Sequence, residues 1–345
     1  MVEKLIVISP RGFCAGVEMA IKALTWMIKL FPTPIYCYHE IVHNDWIVEV
    51  FKKHGVVFVE TPDAIPSGSV AMLSAHGTSP NIKKEFSNSS SVMIDSVCPL
   101  VTKVHHEAKS LASMNSQIIY IGHKDHDEAI GAMGVSPDNM TLIEKSEDLL
   151  NFKPDDPTNV SLLAQTTLAL SEWKNILEKS KELYPNITIP RKSDLCYATT
   201  NRQEAVIQIS PKVDTVIVVR STTSSNTNAL VNTVKSLQVN VLRINSVEEL
   251  DDIHELGENV AITAGASAPD HIVEQIIKKI SPNVIQHFTN IEENEYFPLP
   301  IELRKVRKNI TTILYHIFPK LSEINVEPYN SSDRDWTATD ALREL

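Results

Sequence analysis

The sequence predicts an α/β protein built from three similar units, each a small, mostly parallel sheet covered by helices. Three observations predict it. Continuous apolar runs of strand length alternate with amphipathic helical segments, the pattern of parallel sheets buried on both faces. Most of these runs end in short polar turns, where open α/β sheets bind ligands. Three cysteines, Cys14, Cys98 and Cys196, recur at comparable intervals, each at a turn that opens a helix. On this reading the units are 1–97, 98–195 and 196–300, each donating one cysteine toward a common centre. Residues 301–345 form a C-terminal extension.

The elements follow in order. Leu5-Ile6-Val7-Ile8 reads as a strand running into Gly12-Phe13-Cys14-Ala15-Gly16, and a helix follows with Val17, Ala20, Ile21, Leu24 and Ile28 on one face. Ile35-Tyr36-Cys37-Tyr38 and Val70-Ala71-Met72-Leu73 are further strands, the second ending at Ser74-Ala75-His76-Gly77. Val92-Met93-Ile94 leads through Asp95-Ser96-Val97 to Cys98-Pro99. Proline suits a first helical turn, and Val101, Val104, Ala108 and Leu111 form the stripe behind it. Strands at 118–121 and 160–163 end at Gly122-His123 and Gln165-Thr166-Thr167. Asp194-Leu195-Cys196-Tyr197 has a weaker strand before it but opens onto Ala205, Val206 and Ile209. Strands at 216–219 and 260–262 precede Ser221–Asn228 and Gly265–Pro269. In the extension, Arg304–Lys308 is basic, 310–315 suits a docking helix, and residues from about 328 read as polar and disordered.

Composition limits the function. With 32 Lys+Arg against 43 Asp+Glu the net charge is −11, which argues against a nucleic-acid binder but leaves an anionic substrate in a local cleft open. No uncharged apolar run reaches the roughly 18 residues of a spanning helix, and the N-terminus lacks the pattern of a secretory signal. A cytoplasmic protein with reduced thiols and no membrane partner is expected.

Four cysteines occur, and no two form a CxxC pair. A cysteine at a helix N-terminus faces unpaired N–H groups and the positive end of the helix dipole, which favour the metal-binding thiolate. Three such cysteines are what an anionic iron–sulfur cluster needs. With three thiolates, one iron of a [4Fe–4S] cube is left open to bind substrate as a Lewis acid. A small buried core residue is the commoner role of a free cysteine, and Cys37, inside an apolar strand, fits it.

Other candidates stand at the polar turns. His43, His76 and His126 can offer hydrogen bonds or charge to phosphate, whereas His39, His105, His106 and His123 read as turn or helix-face residues. The Ser221–Asn228 run, before a helix at Ala229, makes either an anion site or an N-cap turn. Glu128 is the best proton donor if it sits in a dry pocket, because burial raises a carboxyl pKa. A solvated helix start is the plainer alternative, and for Thr166 the plainer role is an N-cap.

A series of motifs resembles the 4-hydroxy-3-methylbut-2-enyl diphosphate reductase (IspH/LytB) family over roughly residues 5–305. It comprises Pro10-Arg11-Gly12-Phe13-Cys14-Ala15-Gly16-Val17, His39-Glu40-Ile41-Val42-His43-Asn44, Ser74-Ala75-His76-Gly77 and the run from Cys98 to His105. Gln165-Thr166-Thr167-Leu168, the run from Cys196 to Gln203, Ser224-Ser225-Asn226 and the run from Thr263 to Pro269 complete it. The resemblance implies reductive dehydration of an allylic diphosphate to isopentenyl and dimethylallyl diphosphates, the last step of the methylerythritol phosphate route. It also implies a trefoil of three α/β domains around a central cluster held by Cys14, Cys98 and Cys196. It assigns His43, His76, Ser224, Ser225, Asn226 and Ser267 to the diphosphate, and lines the same pocket with His126. Glu128 would supply protons, and Thr166 would bind the substrate hydroxyl or relay the proton. The electron donor would be a ferredoxin or flavodoxin, and oxygen would strip the open iron to leave [3Fe–4S].

The chain departs from the family pattern in three places. His126-Asp127-Glu128 stands where His-Pro-Glu is usual, Arg220 occupies a position that is commonly glycine, and the tail beyond about Lys305 has no counterpart in shorter members. Two rivals are a non-redox hydratase, which the diphosphate-type turns disfavour, and a cluster-based sensor, for which no basic recognition helix is found.

Overall fold

The computed structural model describes residues 2–190, 193–219, 224–252, 255–322 and 333–345. Three sheets form within them, and every strand pair is parallel. The first contains β1 (Lys4–Ser9), β9 (Thr215–Val219), β10 (Asn240–Ile244), β11 (Asn259–Ala264) and β12 (Val284–Thr289), in the order β10-β9-β11-β1-β12. The second contains β2 (Ile35–Tyr38), β3 (Val56–Val59), β4 (Ser69–Leu73) and β5 (Ser90–Asp95), in the order β3-β2-β4-β5. The third contains β6 (Gln117–Ile121), β7 (Met140–Ile143) and β8 (Val160–Ala164), in the order β7-β6-β8.

The N-terminal strand departs from the units read off the sequence. A boundary at 97 groups β1 with the strands that follow it, yet β1 lies between β11 and β12 in the sheet of the C-terminal unit. Its residues explain the choice. Leu5, Ile6, Val7 and Ile8 are all buried, so the strand needs a partner surface on each face, as a central position supplies.

Alternation along the strands builds a core on each side of every sheet. In the five-stranded sheet Leu5, Val7, Ile217 and Ile262 pack on one face, while Ile6, Ile8, Val216 and Val218 pack on the other. In the three-stranded sheet Ile119, Ile121 and Leu162 oppose Ile118, Tyr120 and Leu163. In the four-stranded sheet Ile35, Cys37 and Met72 face one core, and Ala71 and Leu73 the other, which the helical Phe86 completes. Cys37 is thus a core residue.

The helices are α1 (Ala15–Leu30), α2 (Asp45–Lys53), α3 (Pro80–Ser89), α4 (Pro99–Ser113), α5 (Asp127–Met133), α6 (Leu170–Leu183), α7 (Tyr197–Ile209), α8 (Ser225–Ser236), α9 (Asp270–Ile280), α10 (Ile301–Ile317) and α11 (Ala338–Arg343). Pro99 occupies the first turn of α4 as expected. Among the described residues no helix is long and apolar enough to cross a membrane.

The end of the chain corrects a second expectation. Part of the segment expected to be disordered, residues 333–345, carries α11, which docks on α1. Ala338 and Ala341 are fully buried, Trp336 meets Trp26 edge-on at 5.8 Å, and the Ala338 N–H donates to Glu18 Oε2 at 2.7 Å. Two small residues three apart let the short helix approach closely, which outweighs its polar composition. The basic stretch 304–308 lies on α10. Arg220 and residues 221–223, noted in the sequence, lie outside the described residues. Deleting residues 333–345 should lower stability by at least about 2 kcal/mol through the exposed apolar surface of α1. Thermal unfolding of the truncated chain measures this.

Candidate active site

Cys14, Cys98 and Cys196 are the N-cap residues of α1, α4 and α7. Backbone hydrogen bonds fix the turns that carry them. The Cys14 N–H donates to Ala266 O at 3.2 Å, the Cys98 N–H to Ala75 O at 3.0 Å, and the Cys196 N–H to Thr166 O at 2.9 Å. Each cysteine is therefore tied to a neighbouring loop that also carries candidate site residues. Among the described residues no strand precedes Cys196 directly, in line with the weak apolar signal there. All four cysteines are free.

The three sulfurs converge. A Cβ built on Gly16 would stand 3.0 Å from Cys98 Sγ and 3.9 Å from Cys14 Sγ, so this glycine keeps open the space beside two of them. N–H groups of Gly16 and Val17 face Cys14, those of Leu100 and Val101 face Cys98, and that of Thr199 faces Cys196. Burial nevertheless raises all three thiol pKa values, Cys196 to about 12, and each thiol adjoins at least one other. The helix dipoles alone do not make these thiols thiolates, because desolvation outweighs the N–H contacts. Three crowded, half-buried cysteines fit a multivalent metal centre, whose binding displaces the protons that desolvation retains.

The same cavity is lined by His43, His76, His126, Glu128, Thr166, Ser224, Ser225, Asn226 and Ser267, so the structure brings every candidate site residue to one place. Glu128 is 3 % exposed, and burial raises its pKa to about 7. Both carboxyl oxygens are held by one residue. The Thr166 N–H donates to Oε1 at 2.7 Å, and its hydroxyl pairs with Oε2 at 3.0 Å. Neither plainer alternative holds: Glu128 is not a solvated helix start, and α6 is capped by Ala169 rather than Thr166.

The histidines differ in what they can donate. His126 Nδ1 accepts the N–H of Glu128 at 3.2 Å, so its hydrogen sits on Nε2 while the ring is neutral. Among the described residues that Nε2 has no partner, and burial with His76 and His43 close by lowers the pKa to about 3. His43 and His76 stack with ring centroids 3.9 Å apart, and burial followed by the His43 charge lowers His76 to about 4. Asp127 sits behind them. Its Oδ1 is 2.5 Å from His39 Nδ1 and its Oδ2 3.5 Å from His76 Nδ1. Burial works against ionisation of Asp127, yet the two imidazoles hold its pKa far below the usual carboxylate range. His39, read as a turn residue, does turn the chain with a φ of 57°, and its ring also holds Asp127.

At the opposite end, Ser224 caps α8. The Ser225 hydroxyl accepts from Gln165 Nε2 at 3.1 Å and from Thr167 Oγ1 at 3.0 Å, and the Ser267 hydroxyl donates to His43 O at 3.0 Å. Asn226 is oriented without ambiguity. Its Oδ1 accepts the Ala266 N–H at 3.1 Å, so Nδ2 donates to Thr199 Oγ1 at 2.9 Å, and that hydroxyl lies 3.0 Å from Cys196 Sγ.

The resemblance extends over most of the chain. The LytB protein family model matches residues 5–281. The chain belongs to the LytB family. A LytB relative named 4-hydroxy-3-methylbut-2-enyl diphosphate reductase from Rhodopirellula baltica is 40% identical over 305 residues, 87% of this chain and 96% of that protein. One of the same name from Aliivibrio fischeri (strain MJ11) is 38% identical over 308 residues, 87% of this chain and 98% of that protein. The solved LytB-type structure of the E-1-hydroxy-2-methyl-but-2-enyl-4-diphosphate reductase from Plasmodium falciparum aligns with a TM-score of 0.84 at 33% identity, covering 90% of this chain and all of that one. A second, described as the terminal enzyme of the non-mevalonate pathway, aligns with a TM-score of 0.57 at 28% identity over 81% of this chain and 99% of that one. The chain is an enzyme of this family, with the family's α/β trefoil of three small parallel sheets.

Sequence reasoning missed Arg202. It is fully buried, donates to both carboxyl oxygens of Glu293 at 2.9 and 3.0 Å, and reaches Gly12 O and Ala198 O at 3.0 Å. It thereby ties the Cys14 loop to the start of α7. Only its place within the Cys196 motif hinted at this.

Proposed function

We propose that this LytB-family chain converts (E)-4-hydroxy-3-methylbut-2-enyl diphosphate into isopentenyl and dimethylallyl diphosphates. Two electrons and two protons enter, and the allylic hydroxyl leaves as water. The observation that carries the reading is the single cavity in which three N-cap cysteines, a protonatable buried Glu128 and a set of anion-binding side chains face one another. Cys14, Cys98 and Cys196 would hold a [4Fe–4S] cluster, which when bound supplies the electrons and a Lewis-acidic iron. The electrons come from a ferredoxin or flavodoxin in the cytoplasm, where thiols stay reduced.

The chain's own groups divide the remaining work. Ser224, Ser225, Asn226 and Ser267 bind the diphosphate together with His43 and His76. His126 donates from Nε2 without carrying charge, so it orients the ligand without adding a buried cation. Glu128 near pH 7 retains its proton at Oε2, where it can pass to Thr166 Oγ1 while the Thr166 hydroxyl hydrogen turns toward the leaving hydroxyl. The Thr166 N–H holds Oε1, which keeps the acid aimed as this proton moves. The apolar walls, including Val42 and Phe297, exclude water that would compete for it.

Anaerobic purification tests this reading, with iron analysis, visible spectroscopy and an assay that supplies a reduced donor. A brown, iron-containing protein that consumes the allylic diphosphate is expected. A colourless, iron-free and fully active protein would refute the cluster and its ligands.

A further inference from the structure

We propose that Asp127 is a positioning residue that makes His76 take up a proton from solvent when the cavity binds a diphosphate anion. The inference rests on the diphosphate reading above and adds to it a proton that the reaction itself does not consume.

The two ring nitrogens of His76 face different partners. Asp127 Oδ2 lies 3.5 Å from His76 Nδ1, at the edge of hydrogen-bonding distance, while Oδ1 is engaged by His39 Nδ1 at 2.5 Å. The Asp127 carboxylate is therefore ionised and can only accept. A phosphate oxygen on the other side of the ring is likewise an acceptor. A neutral imidazole carries one N–H, so with Asp127 at Nδ1 and phosphate at Nε2 one of the two acceptors would meet a lone pair. Both are satisfied only by the doubly protonated ring, with the added proton on Nε2. Its charge is then balanced by Asp127 on one side and the anion on the other.

The surroundings keep that proton off until an anion arrives. His43 stacks on His76 at 3.9 Å, and His126 stands edge-on at 6.3 Å, so a charge on one ring disfavours a charge on the next. Burial acts in the same direction, and His76 is neutral at pH 7. The remaining ionisable neighbours do not replace Asp127. Glu40 lies 3.5 Å from His43 Nδ1, Glu60 lies 3.8 Å from His39 Nε2, and Glu128 is held by Thr166. On α4, His105 adjoins Gly77 and is itself kept neutral by burial. His126 shows the contrast. Its Nδ1 faces an N–H donor rather than a carboxylate, so its neutral ring already donates from Nε2.

The test is calorimetric titration of inorganic pyrophosphate into the anaerobic holoenzyme, in buffers of different ionisation enthalpy. The wild-type protein should take up about one proton more per bound pyrophosphate than Asp127→Asn. In that variant the side-chain amide can donate to His76 Nδ1, which leaves a neutral Nε2–H for the phosphate. Affinity of the wild-type protein should also fall by up to about tenfold per pH unit on the alkaline side of the bound ring's titration, with a shallower slope in the variant. Equal proton counts in the two proteins would overturn the proposal. Should Asp127→Asn fail to fold, His76→Gln, which donates without titrating, takes its place under the same criterion. Failure of pyrophosphate to bind the wild-type protein would remove the diphosphate reading itself, a result distinct from binding with unchanged proton uptake.

Discussion

Replacing Glu128 by Gln should lower kcat by roughly 10²–10⁴-fold, the usual contribution of a positioned general acid, while KM changes little. Gln keeps the shape of the side chain and can still accept the Thr166 N–H at one oxygen, so binding geometry is preserved. It has no proton to give. The wild-type protein should also show kcat falling above about pH 7, because burial raises the acid to that value and the proton is present only below it. The variant's residual rate should lack that alkaline limb. Steady-state kinetics across pH decide the matter, and an unchanged kcat in Glu128→Gln would remove Glu128 from the proton path.

The same substitution should stabilise the fold, and the sign follows from linkage. The folded-state pKa of Glu128, about 7, lies above the ordinary value of 4.5. Its contribution to stability is therefore fully present below about pH 4.5 and is lost as pH rises through 7. A difference of that size corresponds to about 3 kcal/mol. Glu128→Gln should accordingly be more stable than the wild-type protein at pH 8, with the gap closing toward pH 5. Denaturant titrations at the two pH values measure it. Loss of activity together with a gain in stability is what separates a functional acid from a structural one.

Legibility in the sequence followed burial. The strands read from apolar runs, such as β1, β4, β6, β8, β9 and β11, have both faces covered over much of their length. The strands not read, β3, β7, β10 and β12, are all sheet edges with mixed or exposed faces. An edge strand has covering on fewer sides, so its residues need not be apolar. Only pairing partners distant in sequence reveal it. The position of β1 was hidden for the same reason, since its neighbours lie more than 250 residues away. Within the site, residues inside short motifs could be nominated singly, whereas Asp127–His39–His76 needs three separate segments to meet, the start of α5 and two turns. Asp127 was visible only as a departure from a pattern, and its effect emerged from the two rings it touches.

Serine substitutions of Cys14, Cys98 and Cys196 should each abolish stable iron incorporation, whereas Cys37→Ser should retain the full complement. The contrast follows from where each sulfur lies. The first three cap helices whose N–H groups face the sulfurs, and all three line one cavity, so loss of one thiolate leaves a metal centre with two ligands. A hydroxyl is a harder donor that does not replace thiolate toward iron and sulfide. Cys37 lies on β2 among Ile35, Leu24 and Met72, where nothing but packing acts on it. Serine there buries a polar group and should cost about 1–3 kcal/mol of stability without touching the iron site. Gly16→Ala separates space from ligation, because it removes no thiol but sets a methyl group 3.0 Å from Cys98 Sγ. It should lower iron content with all three cysteines present. Iron and sulfide per chain after anaerobic purification, together with the visible spectrum, distinguish these outcomes. Full iron in any one of the three serine variants, or its loss in Cys37→Ser, would show that the ligand set is wrong.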